Sequence, residues 1–220
     1  MKITKKVIKK VESEAKKYFL GASGCHDWTH VQRVYNLAMN IGKKENADLS
    51  ILALASLLHD IGRKEEMKSH GKFCHAEKGA ELAFKILKKY KLDEELVNNI
   101  LHCIISHRYR NNNIPETIEA KVLFDSDKLD SIGAIGIGRC FLFAGYLGNP
   151  LYTGNELVLT NSKKDHSYTA EDTAILEYEV KLKNIRDKML TKTGSRIAKN
   201  RHDFMTLYFK IFWQEVNGTE

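Results

Sequence analysis

The chain has 220 residues, of which 43% are hydrophobic and 29% charged, a balance typical of a globular protein with one substantial core. Its net charge is +7, but no predicted helix combines a dense arginine face with interleaved aromatic residues, which argues against a nucleic-acid-binding module. No apolar run is long enough to span a bilayer, and the four cysteines form no CxxC pair, so we expect a cytoplasmic protein with reduced thiols.

Helical periodicity dominates the sequence and strand-type alternation is almost absent, which predicts an all-α protein. Only two prolines occur, Pro115 and Pro150, so long helices are permitted over most of the chain. The predicted helices span, in chain order, about 2–20, 28–46, 49–61, 75–90, 94–108, 115–130, 169–190 and 194–216.

The predicted helix at about 49–61 is apolar on nearly every side, as expected for a helix at the centre of a bundle. Gly62 follows it and would suit its C-terminal cap. Farther along, Gly133, Gly136 and Gly138 recur within six positions. They lack a preceding strand and a Gly-Lys-Ser/Thr ending, so we expect close helix packing there rather than a phosphate-binding loop.

The segment at about 147–168 contains turn-forming residues and little periodicity. Because a loop of this length in a compact domain often has a function, we expect it to border the site. No linker divides the sequence. We therefore expect one helical-bundle domain over 1–220, with a metal-binding core at about 26–130 and C-terminal helices at about 169–216 packed on it.

The dipeptide His59-Asp60 directly follows the apolar run 51–58. An imidazole and a carboxylate beside a core segment are costly to bury unless a partner neutralises them, and a divalent cation suits this ligand pair. Adjacent helical residues point about 100° apart, so other helices must complete the ligand shell. His30 and Asp127 are the candidates.

Near these candidates, His26 precedes His30 by four residues, and the two would share a helical face if the helix begins by residue 26. Asp127 is followed one turn later by Asp130. Both segments therefore offer a second side chain that could act at the same site.

Four ordered blocks of the chain resemble the HD-domain phosphohydrolase superfamily, and more narrowly its YedJ/YpgQ-like bacterial and archaeal hydrolases. The blocks are HDWTHVQRV at 26–34, LLHDIGR at 57–63, DSDKLDSIGAIG at 125–136 and KTGSRIAKNRHDFM at 192–205. The resemblance therefore covers nearly the whole chain.

The resemblance implies a divalent metal ion held by two imidazoles and two carboxylates. The ligands it implies are His30, His59, Asp60 and Asp127. It favours Asp127 over Asp125 and Asp130 because the family's ligand precedes an x-Leu pair, here 128–129. The ion could be Mn, Mg, Co, Ni, Fe or Zn. The implied substrates are nucleotides, in which a metal-activated water cleaves a phosphoester or pyrophosphate bond.

The resemblance leaves several roles open. Some members hold a second metal ion with additional histidines, and His26, His75 and His107 are candidates for that site or for a phosphate contact. Many single-metal relatives place an acid just after the HD pair, where this chain has Arg63-Lys64. The general acid or base could thus be His107, Asp130 or an acid near Glu65, with Asp60 also catalytic.

Four cations lie nearest to the ligand blocks in sequence, and at least one should bind substrate phosphate. They are Arg63, Arg108, Lys128 and Arg139.

Three other interpretations stay open. The HD pocket could bind a nucleotide as a sensor without turnover. Cys25-His26 and Cys74-His75 could form a structural zinc site, although their spacing is unlike the usual pairs. The basic chain could bind nucleic acid. We expect no membrane partner and consider a homodimer as the candidate assembly.

Overall fold

The structure, a computed structural model, describes residues 2–22, 26–69, 74–108, 113–162 and 164–219. Within these ranges it contains helices and turns but no strand, so the predicted all-α fold is confirmed. The helices are α1 Lys5–Lys16, α2 Trp28–Lys44, α3 Leu49–Leu58, α4 Arg63–Lys68, α5 His75–Leu87, α6 Glu94–Ser106, α7 Ile118–Asp130, α8 Gly133–Tyr146, α9 Glu156–Thr160, α10 Ala174–Val180 and α11 Lys192–Asn217. No helix in this part of the chain is long and apolar enough to cross a membrane.

Some helix boundaries differ from the predicted ones. The predicted helix at about 169–190 is divided into α10 and a 3-10 segment, Leu182–Lys188. Thr173 sets the start of α10 because its side chain accepts a hydrogen bond from the Leu176 N–H at 3.1 Å. The loop predicted at about 147–168 contains α9, and the glycine-rich segment after residue 132 forms α8.

The chain forms two compact units. The first contains Met1–Asp127 and Leu190–Thr193, and the second contains Lys128–Met189 and Gly194–Glu220. That 1–220 is one domain, with the helices at about 169–216 packed on a metal-binding core, stays a prediction.

The centre of the first unit is α3, in which every residue from Ile51 to Leu58 is buried. It packs against α1, α2, α5 and α6. The Asp48 carboxylate caps α3 by accepting hydrogen bonds from the N–H groups of Ser50 at 2.7 Å and Ile51 at 3.3 Å. Because α3 is surrounded, the residues that follow its last turn, His59 and Asp60, lie in the interior.

Gly62 has a different role from the one predicted. The C-cap of α3 is His59, and Gly62 does not have the positive φ of a left-handed cap. A Cβ built on Gly62 would lie 2.6 Å from the Gly79 nitrogen and would overlap the His75 carbonyl oxygen. The predicted C-terminal glycine cap is therefore wrong, and this glycine instead allows the turn after α3 to touch the start of α5.

In the second unit, α10 packs against α8 and α9. Gly133 begins α8 with a φ of +79°, and a Cβ there would lie 2.9 Å from Cγ of Arg201 in α11. A Cβ on Gly136 would overlap the Ser131 carbonyl. These two glycines permit the close packing expected of them, whereas Gly138 faces open space.

The Gly62 contact predicts that Gly62→Ala lowers the free energy of unfolding by about 1–3 kcal/mol, because backbone of α5 would have to move. Gly79→Ala at the same contact is the matched control. Its Cβ would be 3.4 Å from the nearest atom, the His59 oxygen, so the change should stay within about 1 kcal/mol. Urea unfolding measures both, and equal losses would contradict this account of Gly62.

Candidate metal centre

Seven imidazole and carboxylate side chains converge at one place in the first unit. They come from the ends of α2, α3, α5, α6 and α7 and from the segments beside them. The residues are His26, His30, His59, Asp60, His75, His107 and Asp127. They include the four predicted metal ligands and all three additional histidines considered from the sequence.

Asp27 positions the first of these segments. Its carboxylate accepts hydrogen bonds from the N–H groups of Thr29 at 2.9 Å and His30 at 3.2 Å, so α2 begins at Trp28. Burial raises the pKa of Asp27, but the hydrogen bonds from Thr29 and His30 outweigh it and leave the pKa below its usual value. His26 therefore precedes the helix, and the condition for a shared helical face with His30 is not met.

His30 lies at the centre of the four-residue ligand set. Its Nε2 is 3.3 Å from Nε2 of His59, 3.6 Å from Oδ2 of Asp60 and 3.5 Å from Oδ1 of Asp127. His30, His59 and Asp60 are fully buried, and Asp127 is largely buried. The structure thus brings together four residues that are up to 97 positions apart in the sequence, from His30 to Asp127.

The carboxylate of Asp60 faces two groups of imidazoles. Its Oδ2 faces His30 and is 3.5 Å from Nδ1 of His26. Its Oδ1 is 3.2 Å from Nε2 of His75 and 3.7 Å from Nε2 of His107, and these two nitrogens are 3.2 Å apart. Asp60 therefore belongs to both groups of potential donors.

Hydrogen bonds on the outer side fix the orientation of three imidazoles. The Nδ1–H of His59 donates to the Ser56 carbonyl at 2.7 Å, and that of His107 donates to the Ile104 carbonyl at 2.6 Å. The Nδ1 of His75 lies 2.8 Å from the Glu66 carboxylate, which accepts, and 2.9 Å from Nη1 of Arg108, which donates. Because the two carbonyl oxygens only accept, Nδ1 of His59 and of His107 carries the hydrogen, and Nε2 of each directs a lone pair towards His30 or Asp60.

Burial determines the charge state of the cluster. It lowers the pKa of His59 and of His75 to about 4 each, so both imidazoles are neutral near pH 7. Burial by itself raises the pKa of Asp60, but the Arg63 guanidinium, with His59 and His75, holds that pKa well below its usual value. His59 and His75 therefore offer neutral nitrogen donors beside the charged carboxylate of Asp60.

This donor set fits a divalent cation. The Nε2 atoms of His75 and His107 are 3.2 Å apart and lie 3.2 and 3.7 Å from Oδ1 of Asp60, an arrangement that a shared cation stabilises. In sites with donor distances of about 2.0–2.2 Å, neighbouring donors are roughly 3 Å apart, which matches the separations in both groups. The mixture of imidazole and carboxylate ligands is of the type that transition-metal ions prefer.

Arg63, Arg108 and Glu66 form a network beside the cluster. Arg63 donates through Nη2 to both oxygens of Asp60 at 3.3 Å and through Nη1 to Glu66 at 3.0 Å. The Glu66 carboxylate also accepts from Arg108. Although burial raises the pKa of Glu66, His75 and the two arginines hold it below its usual value.

Sequence reasoning considered an acid near Glu65 but did not single out Glu66. A signal was available, because Glu66 is three residues after Arg63 and would share its face on a short helix. That helix, α4, has only six residues, too few to show helical periodicity.

The other acidic residues of α7 have different surroundings. Asp125 is fully buried and accepts hydrogen bonds from the N–H groups of Leu190 at 2.8 Å and Thr191 at 2.9 Å. In the second unit, Asp130 accepts a hydrogen bond from Arg139 at 2.8 Å. The parts of Asp130, Arg139 and Lys128 in the reaction stay predictions, as do those of Arg63 and Arg108.

The alternative zinc site draws no support from the described residues. Cys25 lies outside them, and Cys74 belongs to none of the potential metal-binding groups that they form. The Cys74 sulfur is 3.8 Å from Nη1 of Arg108.

Comparisons with known proteins agree with this architecture. The HD domain family model matches residues 27–132. The chain is 32% identical over 202 residues to YpgQ of Bacillus subtilis (strain 168), covering 90% of this chain and 88% of YpgQ. The crystal structure of Bacillus subtilis YpgQ in complex with ADP matches with a TM-score of 0.70 and 30% identity, covering 96% of this chain and 95% of that one. The crystal structure of an HD-superfamily hydrolase from Bacillus thuringiensis matches with a TM-score of 0.72 and 26% identity, covering 96% of this chain and 97% of that one.

The cluster and these matches define the class of the protein. The chain belongs to the HD superfamily of hydrolases, as its sequence blocks predicted.

The network around Glu66 predicts that Glu66→Gln lowers the free energy of unfolding by about 1–3 kcal/mol, because two guanidinium groups and His75 lose a charged acceptor. Glu65→Gln removes the same charge one residue away, where no hydrogen-bond partner is present for the buried Oε2, and should change stability by less than about 0.5 kcal/mol. Chemical denaturation compares the pair, and an equal loss in both variants would contradict the assigned role.

Proposed function

We propose that this protein hydrolyses a phosphoester or phosphoanhydride bond of a nucleotide, using a divalent ion held by His30, His59, Asp60 and Asp127. One observation carries the proposal: Nε2 of His30 lies within 3.6 Å of a donor atom from each of the other three residues. These side chains come from α2, from α7 and from the turn that follows α3, and a common ligand accounts for their convergence.

The ion, when bound, would lower the pKa of a water molecule and neutralise charge on the phosphoryl oxygens. Because two of its four ligands are imidazoles, Mn, Fe, Co, Ni or Zn suits the site better than Mg, which prefers oxygen ligands. Manganese is our first candidate among them.

The chain's own residues would bind the substrate and move its protons. Arg63 and Arg108 lie beside the cluster with side chains that are one-fifth exposed, so their guanidinium groups can reach a phosphate that enters from solvent. His107 would be the general base when the first ion alone is bound: its Nδ1–H donates to the Ile104 carbonyl, so Nε2 is the atom that would accept a proton from water. His26 is the partly exposed histidine of the cluster and is a further phosphate contact.

A nucleotide is the substrate class that the comparisons favour. YpgQ of Bacillus subtilis, which matches nearly the whole chain, has been crystallised in complex with ADP. The net charge of +7 also attracts polyanions in general, although it does not select among them.

We further propose that Asp60, His75 and His107 hold a second, weaker ion. Their donor atoms lie within 3.7 Å of one another, and all three side chains are almost completely buried. With only one carboxylate among the three, this group should bind a divalent ion less tightly than the four-residue site.

The first prediction from this proposal concerns turnover. With added Mn or Co, the purified protein should release phosphate or pyrophosphate from a panel of nucleoside mono-, di- and triphosphates. Asp60→Ala and His59→Ala should abolish release, because each removes a metal ligand. His202→Ala, which alters a histidine of α11 outside the cluster, is the control and should retain full activity. Nucleotide binding without product would favour the sensor interpretation, and turnover that survives Asp60→Ala would exclude the proposed site.

The second concerns metal stoichiometry. After saturation with Mn and removal of free ion, elemental analysis should find two equivalents in the native protein and one in His75→Ala/His107→Ala. The double variant should still be stabilised against thermal unfolding by Mn, because the four-residue site remains. Identical stoichiometry in the two proteins would exclude the second ion without affecting the first.

A further inference from the structure

Three hydrogen-bonded side chains form a relay in the second unit, in the loop between α9 and α10. The Ser162 hydroxyl donates to Nε2 of His166 at 2.6 Å, and the Nδ1–H of His166 donates to the Glu171 carboxylate at 2.6 Å. Because an ionised carboxylate only accepts, Nδ1 carries the hydrogen and Nε2 is the atom that can take the hydroxyl proton. A serine, a histidine base and an orienting acid in this geometry are how serine hydrolases are recognised, whatever their fold.

The loop is folded back so that Glu171 returns to His166. Between them, Tyr168 has a φ of +63°, a left-handed conformation that a bulky residue rarely adopts. Its N–H donates to the Asp172 carboxylate at 2.7 Å, and the Asn149 amide donates to the Asp172 carbonyl oxygen at 2.9 Å. Unfavourable backbone conformations that neighbouring hydrogen bonds enforce are concentrated at functional sites, and this one lies between the base and the acid.

A cavity beside the relay gives a substrate access to Ser162. It has a volume of about 420 Å³, within the range of roughly 300–1,000 Å³ for small-molecule sites. Ser162 and His166 both line it; Ser162 is exposed, whereas the His166 side chain is only 12% exposed. The lining also includes three apolar side chains, those of Leu159, Leu176 and Val180, among polar ones. Such a cavity suits a small molecule with a short acyl chain.

We propose that Ser162, His166 and Glu171 form a second hydrolytic site, which cleaves small carboxylic esters with a serine nucleophile. The Ser162 oxygen attacks the ester carbonyl carbon while its proton passes to Nε2 of His166. The bond from that carbon to the alcohol oxygen then breaks, and the alcohol leaves with the proton. Water cleaves the acyl–serine ester in the same way, which releases the carboxylic acid and restores the Ser162 hydroxyl.

The charges around the cavity favour both steps. Glu171 stabilises the imidazolium that forms when His166 takes the proton. Lys164 lines the same cavity, where an ammonium group attracts the negative charge that develops on the carbonyl oxygen. An ester is favoured over an amide because an alcohol leaves more readily than an amine. The proposal does not depend on the nucleotide chemistry, which concerns the first unit.

Labelling with an alkyl fluorophosphonate tests the nucleophile. This probe phosphonylates activated serine hydroxyls with loss of fluoride, and peptide mass spectrometry of the full chain should place the adduct on Ser162. His166→Ala should lower the labelling rate about 100-fold or more, because a general base typically supplies at least that factor. Ser167→Ala, which alters an exposed serine of the same loop, is the matched control and should be labelled as fast as the native protein. An adduct spread over several serines, or equal labelling of Ser162 in His166→Ala, would overturn the proposal.

Hydrolysis of p-nitrophenyl butyrate measures turnover. The native protein should release nitrophenol in the presence of a metal chelator, which separates this activity from metal-dependent nucleotide hydrolysis, and Ser162→Ala should lose it. Glu171→Gln should be slowed less than Ser162→Ala, because the amide oxygen still accepts the Nδ1 hydrogen but carries no charge. Native unfolding midpoints in both variants would show that the losses are not due to misfolding. An inactive native protein, or ester hydrolysis that persists in Ser162→Ala, would contradict the proposal.

Discussion

The burial of the Asp60 carboxylate is the constraint on which the site depends. Asp60 follows the last turn of α3, a helix surrounded by four others, so its charge lies in the interior and near the negative end of the helix. An isolated carboxylate there would be strongly unfavourable. The Asp60 charge is stabilised by the Arg63 guanidinium on one side and by the imidazoles that surround it on the others. One of these imidazoles, His75, lies beside Asp60 because α5 approaches the turn after α3 closely at Gly62.

Much of this could be read from the sequence because the relevant signals are local. The apolar run 51–58 marks a helix buried on all sides, and His59-Asp60 directly after it marks a polar centre in the core. Long amphipathic helices such as α2 and α5 were predicted to within a few residues because their periodicity extends over several turns. The resemblance to HD hydrolases supplied the predicted ligand set, whose members lie too far apart in the sequence for a local pattern to connect them.

What the sequence could not supply depends on tertiary contacts or on elements too short to show a pattern. Gly62 was interpreted as a helix cap because only the folded chain reveals the backbone of α5 beside it. Local sequence pattern does not distinguish the three aspartates of α7, at 125, 127 and 130. The fold separates them, because Asp125 binds the backbone at 190–191, Asp130 binds Arg139, and Asp127 faces His30.

His59 and His107 share a way of fixing the imidazole ring through the main chain. Each is the C-cap of its helix and donates its Nδ1 hydrogen to the carbonyl three residues earlier, at a helix end where carbonyls lack a partner within the helix. The main-chain carbonyl oxygens of residues 56 and 104 therefore determine the tautomer of both imidazoles, and every residue type has such an oxygen. The side chains of Ser56 and Ile104 take no part in these hydrogen bonds, so a substitution at either position that preserves the helix end would leave the acceptor of the imidazole in place.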